Sequence, residues 1–409
     1  MSEDVFRTDR QSNRPVTFVA IAFALLLVAY PVLRVYIPGP SWARWMLAYA
    51  ANERVAGRID NALNALDRSY QADAEIVHDS QYWQTRLEIA FGRSPIQEEE
   101  VQRLIDHAIE TTQGFQDKNR RFSISKVLAL TLLREKHWDL ATELLDRTYK
   151  QDPAIVQDLQ YWMIRLQVVF GRSPVLDEDV EHVADHAIES LKNSKNASQR
   201  SSISMALASN LLKKKRWDLA IKVLDQLLEP PRRRTSEQNN LLAYSRSLSN
   251  TGLDQALVEI DLAMKNGGDI PAYQDTKGWV LYQSGEYEEA LLFANRAVAG
   301  FANEIQAVAP ELFSILTDKR APADSDASSK IDTLLGEGEV DGEKTNVETA
   351  PNMNASTSVQ LAIVEMIKNY AVVRLHRARI LEGLGRTDEA SLDLEWIKSL
   401  GINDFSKLY

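Results

Sequence analysis

Apolar residues recur three and four positions apart through most of this chain, which is the spacing of one face of an α-helix. Between residues 95 and 113 the apolar positions are Val101, Leu104, Ile105, Ala108 and Ile109. Nothing in this region alternates between apolar and polar residues with a period of two. The pattern therefore predicts an all-α protein without a β-sheet.

The helical pattern returns along the chain at a fixed interval. Residues 66–95 and 145–174 lie 79 positions apart and are identical at eighteen of thirty positions. The similarity extends downstream to Ala220, and a partial third copy lies upstream at residues 62–68. A fixed period is typical of repeat proteins, in which small units stack and present an extended surface to partners.

Each 79-residue module is predicted to contain four helices. Gly92 ends the first of them. Ser94-Pro95-Ile96-Gln97 has the residues of an N-cap, a proline at the first helical position and a capping-box partner, so the second helix is expected to start there. In the first complete copy the predicted helices are 79–91, 95–113, 118–135 and 138–151.

The N-terminal region contains a candidate membrane span. Residues 15–33 carry no charge, and roughly 20 apolar residues in a helix cross a bilayer. Aromatic residues follow, as they do at membrane interfaces: Tyr30, Tyr36, Trp42 and Trp45. We predict a transmembrane signal-anchor at 15–37, with the tail 1–14 in the cytoplasm and the repeats outside it. A cleaved secretory signal is the alternative, but the apolar run is long for one and no small-x-small site precedes Pro38.

Downstream the repeat shortens to 34 residues, the distance from Ala256 to Ala290. Part of the same pattern returns at Gly385, Ala390 and Leu394. Small residues let the two helices of a hairpin approach, and large ones fill the space between hairpins. The fullest match to this pattern is Gly278, Tyr282, Gly285, Tyr287, Ala290 and Ala297. Over these positions the chain resembles the tetratricopeptide repeat (TPR) family.

The resemblance covers roughly residues 40–317 and 358–400, and it is loosest over the longer 79-residue modules. It implies a TPR-like α-solenoid of about eight helical hairpins, preceded by one transmembrane helix. The predicted domains are a repeat domain at 40–317 and a C-terminal hairpin at 358–409.

Residues 318–357 interrupt the pattern. They contain no aromatic residue, and residues 321–357 carry eight acidic side chains against two lysines. Such a segment buries too little apolar surface to offset its ordering entropy, so we predict disorder. An inert insertion in a surface loop is the favoured interpretation, and an acidic tether for a basic partner is the other.

The composition of the chain excludes several classes of function. The net charge of −11 argues against a nucleic-acid partner, because such proteins neutralise phosphates with clustered basic side chains. The chain has no cysteine, which excludes disulfides, thiolate catalysis and cysteine-based metal sites. Phosphate-binding glycine loops and a G-x-S-x-G elbow are also missing from the sequence. We therefore expect neither an enzyme nor a cofactor.

Two other features permit a functional interpretation. His182 and His186 have the spacing of helical zinc ligands, but the equivalent residues in the other copy are Arg103 and His107, and no third ligand is evident. We predict no metal site there. The pairs Tyr82-Trp83 and Tyr161-Trp162 are consistent with a peptide-binding aromatic row, although core packing is favoured.

Two basic clusters stand out against the acidic background. They are candidate clamps for an acidic peptide or a C-terminal carboxylate, a binding mode that the TPR resemblance makes plausible. A solvated helix end is the simpler explanation. The clusters are Lys213-Lys214-Lys215-Arg216 and Arg232-Arg233-Arg234.

Three functional hypotheses follow. The first is a membrane-anchored, non-enzymatic scaffold or adaptor that holds a helix or peptide of its protein partners in the solenoid groove and assists assembly of a membrane-associated complex. The second is a permanent structural subunit of a multi-protein membrane complex. The third is a zinc-dependent hydrolase at His182 and His186. The fold alone does not choose among them.

Overall fold

The computed structural model describes residues 39–93, 96–310 and 355–408, and every regular element within them is helical. The chain divides into two compact units, residues 1–155 and 156–409. The first unit contains α1 Pro40–Val55, α2 Ile59–Ala72, α3 Ser80–Phe91, α4 Glu98–Gln113, α5 Lys118–Arg134 and α6 Trp138–Gln151. The second contains α7 Leu159–Gly171, α8 Asp177–Leu191, α9 Ala197–Lys213, α10 Trp217–Leu227, α11 Ser236–Ser249, α12 Leu253–Gly267, α13 Pro271–Gln283, α14 Tyr287–Val308, α15 Ala355–Gly383 and α16 Thr387–Ser399. Short 3-10 helices are Ala74–His78, Pro153–Gln157, Pro231–Arg233 and Phe405–Leu408.

Consecutive α-helices pack against each other in pairs, so the described residues form eight helical hairpins. Turns of three residues join the two helices in most of these pairs, as in α1/α2 and α13/α14. Connections of that length bring the second helix back along the first. The predictions of an all-α protein and of stacked helical hairpins are confirmed for this part of the chain.

The 79-residue repeat is visible in the helix boundaries. The helices α3, α4, α5 and α6 of the first module start at Ser80, Glu98, Lys118 and Trp138. Their counterparts α7, α8, α9 and α10 each start 79 positions later. The repeated sequence thus encodes the same four-helix unit twice.

The start of α4 corrects one prediction. The helix begins at Glu98 and not at 95, and its N-cap Gln97 makes no side-chain capping hydrogen bond. The first turn instead holds Glu98, Glu99 and Glu100, whose negative charges favour a helix N-terminus. Ile96 lies outside the helix and is exposed, while Ser94 and Pro95 are outside the described residues.

The aromatic pairs of both modules lie in the core. Tyr82, Trp83, Tyr161 and Trp162 are all at most 1% exposed. The indole N–H of Trp83 donates to the Val77 carbonyl at 2.7 Å, and that of Trp162 donates to the Val156 carbonyl at 2.8 Å. Each tryptophan therefore fills the core and fastens the 3-10 helix before it, so the pairs do not form a peptide-binding row.

Gly278, the first residue of the TPR-like pattern, marks a close approach between α13 and α14. A Cβ added to Gly278 would lie 3.1 Å from the Ala290 carbonyl oxygen and 3.2 Å from the Ala294 nitrogen. A larger side chain would therefore push the two helices apart. The predicted role of a small residue, to let the two helices of a hairpin approach, is confirmed at Gly278.

Two predicted segments fall wholly or mostly outside the described residues. The candidate span 15–37 is one, and among the helices that the structure describes none is long and apolar enough to cross a bilayer. The predicted disordered segment 318–357 is the other, apart from its last three residues. These belong to α15, which starts at Ala355, three residues before the predicted position.

Candidate functional site

A cavity of about 350 Å³ opens on the C-terminal unit. Its walls come from the start of α10, the end of α11, the last residues of α13 and the last turn but one of α15. The lining residues are Trp217, Leu248, Trp279, Tyr282, Gln283 and Arg379. The cavity thus lies where four successive hairpins of this unit bring their turn-proximal ends together.

Tight coiling of the unit makes this convergence possible. The Nζ of Lys215, in the turn before α10, donates to the Ser406 carbonyl at 3.0 Å, although the two residues are 191 positions apart. The Tyr244 ring in α11 lies 6.3 Å from the His376 ring in α15. Hairpins that are not neighbours in sequence therefore touch, and their side chains reach one cavity.

A column of stacked rings leads from the interior to this cavity. The His376 ring stacks on Trp279 with 4.2 Å between centroids, and Trp279 stacks on Tyr282 at 4.8 Å. His376 is fully buried, and its Nδ1 lies 2.9 and 3.0 Å from the two carboxylate oxygens of Asp275. A carboxylate accepts hydrogen bonds, so the tautomer with N–H at Nδ1 would donate to both oxygens. The Asp275 hydrogen bond fixes the imidazole and, through it, the Trp279 wall.

The rim of the cavity is polar on one side. The Nη1 of Arg379 lies 2.7 Å from Glu382, and the arginine side chain remains 41% exposed. Burial is the main cause that raises the pKa of Tyr282, and neighbouring Tyr287 adds to it, so this phenol stays neutral. The site therefore combines apolar aromatic walls with one cation and the Gln283 amide.

The first predicted basic cluster adjoins this site. Lys213 to Arg216 form the end of α9 and the turn that leads into Trp217. Lys214 Nζ lies 5.6 Å from the Phe170 ring, and Arg216 pairs with Asp177 at 2.9 Å. Lys213 is exposed, so the cluster keeps a positive surface in the stretch of chain that leads into Trp217.

The second cluster lies at the opposite end of α10. Arg232 and Arg233 are exposed in a 3-10 helix, whereas Arg234 is buried. At 1.5 Å per residue, the eleven residues of α10 separate the two clusters by roughly 16 Å. The clusters therefore flank α10 and do not form a single basic patch.

Arg234 belongs to a buried ion network. Its Nη1 lies 3.0 Å from Glu259, which is fully buried, and Arg246 approaches the same carboxylate at 3.1 Å. Asp225 accepts two hydrogen bonds from Arg246, at 2.8 and 2.6 Å. The Arg234 guanidinium is thus committed to holding α12 against the preceding hairpin, and it contributes no surface for a peptide.

The two histidines of the zinc hypothesis lie on one helix face, 6.4 Å apart between ring centroids. His186 sets its ring against Trp162 at 5.2 Å, as His107 does against Trp83 at 5.4 Å in the other module. Among the residues that the structure describes, no group of three or more metal-ligating side chains comes together. The repeated histidine therefore has a packing role beside the module tryptophan.

No protein family model matches the chain, and no curated protein does. One solved structure that aligns with it is "Crystal Structure of P58(IPK) TPR Domain at 2.5 A", at 14% identity and a TM-score of 0.21 over 90% of this chain and 95% of that one.

Sequence reasoning missed the buried part of the site. Asp275 and His376 are 101 positions apart, and each stands at a core position of its helix. The sequence did contain one sign of a buried polar pair, which is an aspartate inside the apolar stripe of α13. Buried acids in proteins are nearly always paired. The partner of this aspartate follows only from the packing of α15 against α13.

Proposed function

We propose that this protein is a non-enzymatic, membrane-anchored scaffold whose C-terminal unit binds a segment of a protein partner. The partner would place an apolar or aromatic side chain in the cavity and a carboxylate near Arg379. The chain would thereby assist assembly of a membrane-associated complex.

The observation that carries this proposal is the composition of the cavity. Three aromatic side chains and a leucine line it, next to Gln283 and one arginine. A volume of about 350 Å³ lies at the lower end of the roughly 300–1,000 Å³ of ligand sites, a size that suits one anchoring side chain. Aromatic and arginine side chains also supply most hot spots of protein interfaces.

The charge beside the cavity indicates the character of the partner. Arg379 stands at its rim, and the basic turn 213–216 leads directly into Trp217. Charge-assisted hydrogen bonds to carboxylates are the strong polar contacts at such rims. We therefore expect an acidic peptide or a C-terminal carboxylate.

The test is capture of partners by the full-length, tagged chain in mild detergent, with the bound proteins identified by mass spectrometry. Arg379→Glu should abolish capture of the specific partners. Arg386→Glu is the matched control, because each arginine pairs with a glutamate three residues later, Glu382 or Glu389, at 2.7 and 2.6 Å. Their exposures are also close, 41% and 47%.

Equal losses in the two variants would count against the cavity as the binding site. The double variant Lys214→Glu with Arg233→Glu changes one residue in each basic cluster, and so tests the two clusters together, independently of the cavity. Reduced capture would show that the positive surface beyond the cavity contributes to binding.

The membrane anchor is the second part of the proposal, and it is supported by the uncharged run at 15–33. In the proposed topology the N-terminus is cytoplasmic and the repeats lie on the extracytoplasmic side. Alkaline extraction of native membranes tests the anchor. The chain should stay in the pellet, and release into the supernatant would contradict anchoring.

A permanent subunit of a membrane complex is the second candidate function. It is favoured by exposed aliphatic side chains at one matching loop position of both modules, Ile96 at 45% and Val175 at 41%. Partners that stay stoichiometric through moderate salt would support this candidate. Substoichiometric partners that are lost with salt would support the adaptor.

A further inference from the structure

The side of α1 that faces away from the core carries a stack of aromatic rings. Trp42 and Trp45 stack with 4.9 Å between centroids, and Trp45 and Tyr49 follow at 5.7 Å with an interplanar angle of 8°. Trp45 is 41% exposed and Tyr49 is 40% exposed. We call these three side chains the aromatic ladder.

The opposite side of α1 is an ordinary core face. It buries Ala43, Met46, Leu47 and Ala50, each at most 4% exposed. The helix therefore carries large aromatic rings on its exposed side as well as an apolar core side, whereas the exposed side of a helix at a protein–water boundary is usually polar.

The residues around the ladder extend this unusual surface. The other exposed positions of α1 are Pro40, Ser41, Arg44, Ala48, Asn52 and Val55, of which Val55 is 73% exposed, and none of them is acidic. The neighbouring helix α2 is conventional, since its exposed side carries Asp60, Asn61 and Asp67. In a chain of net charge −11, an exposed face with one cation and no anion is a local exception.

The place of α1 in the chain indicates what covers the ladder. The uncharged run ends at Leu33, and α1 starts at Pro40. Seven residues reach at most about 25 Å when fully extended, so α1 starts within that distance of the end of the span. Tryptophan and tyrosine concentrate at that depth of a membrane, where one end of the ring is apolar and the other wet.

We propose that α1 lies in the bilayer interface and presents the aromatic ladder to the lipid, with Arg44 among the phosphates. This inference rests on the proposed membrane anchor. Interfacial helices enter the boundary between headgroups and acyl chains by about 5–10 Å, enough to cover the rings. The N-terminal unit would thus be attached to the membrane by its first helix as well as by the span.

Fluorescence quenching tests the inference with the full-length chain in vesicles of phosphatidylcholine and phosphatidylglycerol. Part of the phosphatidylcholine carries bromine near the glycerol end of its acyl chains, and bromine quenches only nearby indoles. Two of the eight tryptophans belong to the ladder. The double variant Trp42→Phe with Trp45→Phe should lose most of the quenching, and the control Trp396→Phe should keep it.

Phenylalanine preserves the bulk and apolar character of α1, so the variant is expected to fold; its circular dichroism is checked in parallel. If the double variant is quenched as strongly as the wild type, the inference about α1 is wrong, but the proposed anchor is not contradicted. If the wild-type chain floats with the vesicles but shows no quenching, the inference is also wrong. That result would indicate that a second copy or another protein covers this face. A chain that does not float with vesicles would overturn both the anchor and the inference.

Discussion

The imidazole of His376 lies flat against the indole of Trp279, with 4.2 Å between the ring centroids and 17° between the planes. One ring belongs to α15 and the other to α13, and Asp275 holds the imidazole from one turn before Trp279. A wall of the cavity is thus positioned by a hydrogen bond that no partner could reach.

Removal of this hydrogen bond should destabilise the C-terminal unit. Asp275→Ala leaves a buried imidazole N–H without its acceptor, which costs about 1–3 kcal/mol. Asp275→Asn retains an acceptor oxygen, so its loss should be smaller. Urea unfolding followed by circular dichroism measures both variants, and equal losses would mean that the hydrogen bond itself contributes little.

Loss of a carboxylate from the buried ion network should lower the free energy of unfolding far more than loss of a carboxylate from an exposed ion pair. Glu259→Ala leaves Arg234 and Arg246 facing each other at 7% and 6% exposure, and breaking a buried pair in this way costs about 3–5 kcal/mol. Glu389→Ala removes the exposed partner of Arg386 and should cost much less. Similar urea midpoints for the two variants would contradict a structural role for the network.

The N-terminal unit should lose stability in acid through Glu53. Arg58 donates to both oxygens of this carboxylate at 2.6 Å and is the main cause that lowers its pKa from 4.5 to about 2. A lowered pKa in the folded state means that the stabilisation is complete above pH 4.5 and disappears as the pH falls through 2. Glu53→Gln should therefore be less stable than the wild type at pH 7, and the difference should shrink between pH 4.5 and 2. Thermal melting across this range measures it, and a constant difference would contradict the assignment.

The turn between α13 and α14 requires a residue in the left-handed backbone conformation. Gly285 has φ +85°, and a Cβ added there would meet nothing within 4 Å. Gly285→Ala should therefore cost about 1–2 kcal/mol through backbone conformation alone. Gly114→Ala is the control, because Gly114 has φ −74° and an added Cβ would be in ordinary contact. Thermal unfolding should show a loss for the first variant and none for the second.

The helices and much of the core were predictable because they depend on local spacing. The period of 79 residues predicted two equivalent modules, and both use the same helix starts. Gly278 was predicted to allow a close helix approach, and the distances to α14 confirm this. The predicted start of α4 at residue 95 was wrong, because the helix begins at Glu98 and holds three glutamates in its first turn.

The candidate site was less predictable because it depends on contacts between distant residues. The basic turn before Trp217 was visible in the sequence, but the meeting of Trp217 with Trp279 and Arg379 at one cavity follows from the coiling of the C-terminal unit. Arg234 looked equivalent to Arg232 and Arg233 in the sequence. Only the fold reveals that it is turned inward onto Glu259.

The contact between Lys215 and Ser406 changes how the C-terminal unit can come apart. In an open solenoid each repeat touches only its neighbours, so unfolding can start at an end and advance one repeat at a time. Here the residues after the last hairpin are tied to a turn near the beginning of the unit. Unfolding from the C-terminus breaks that contact and also removes Arg379 from the cavity wall, so loss of the last hairpin opens the cavity.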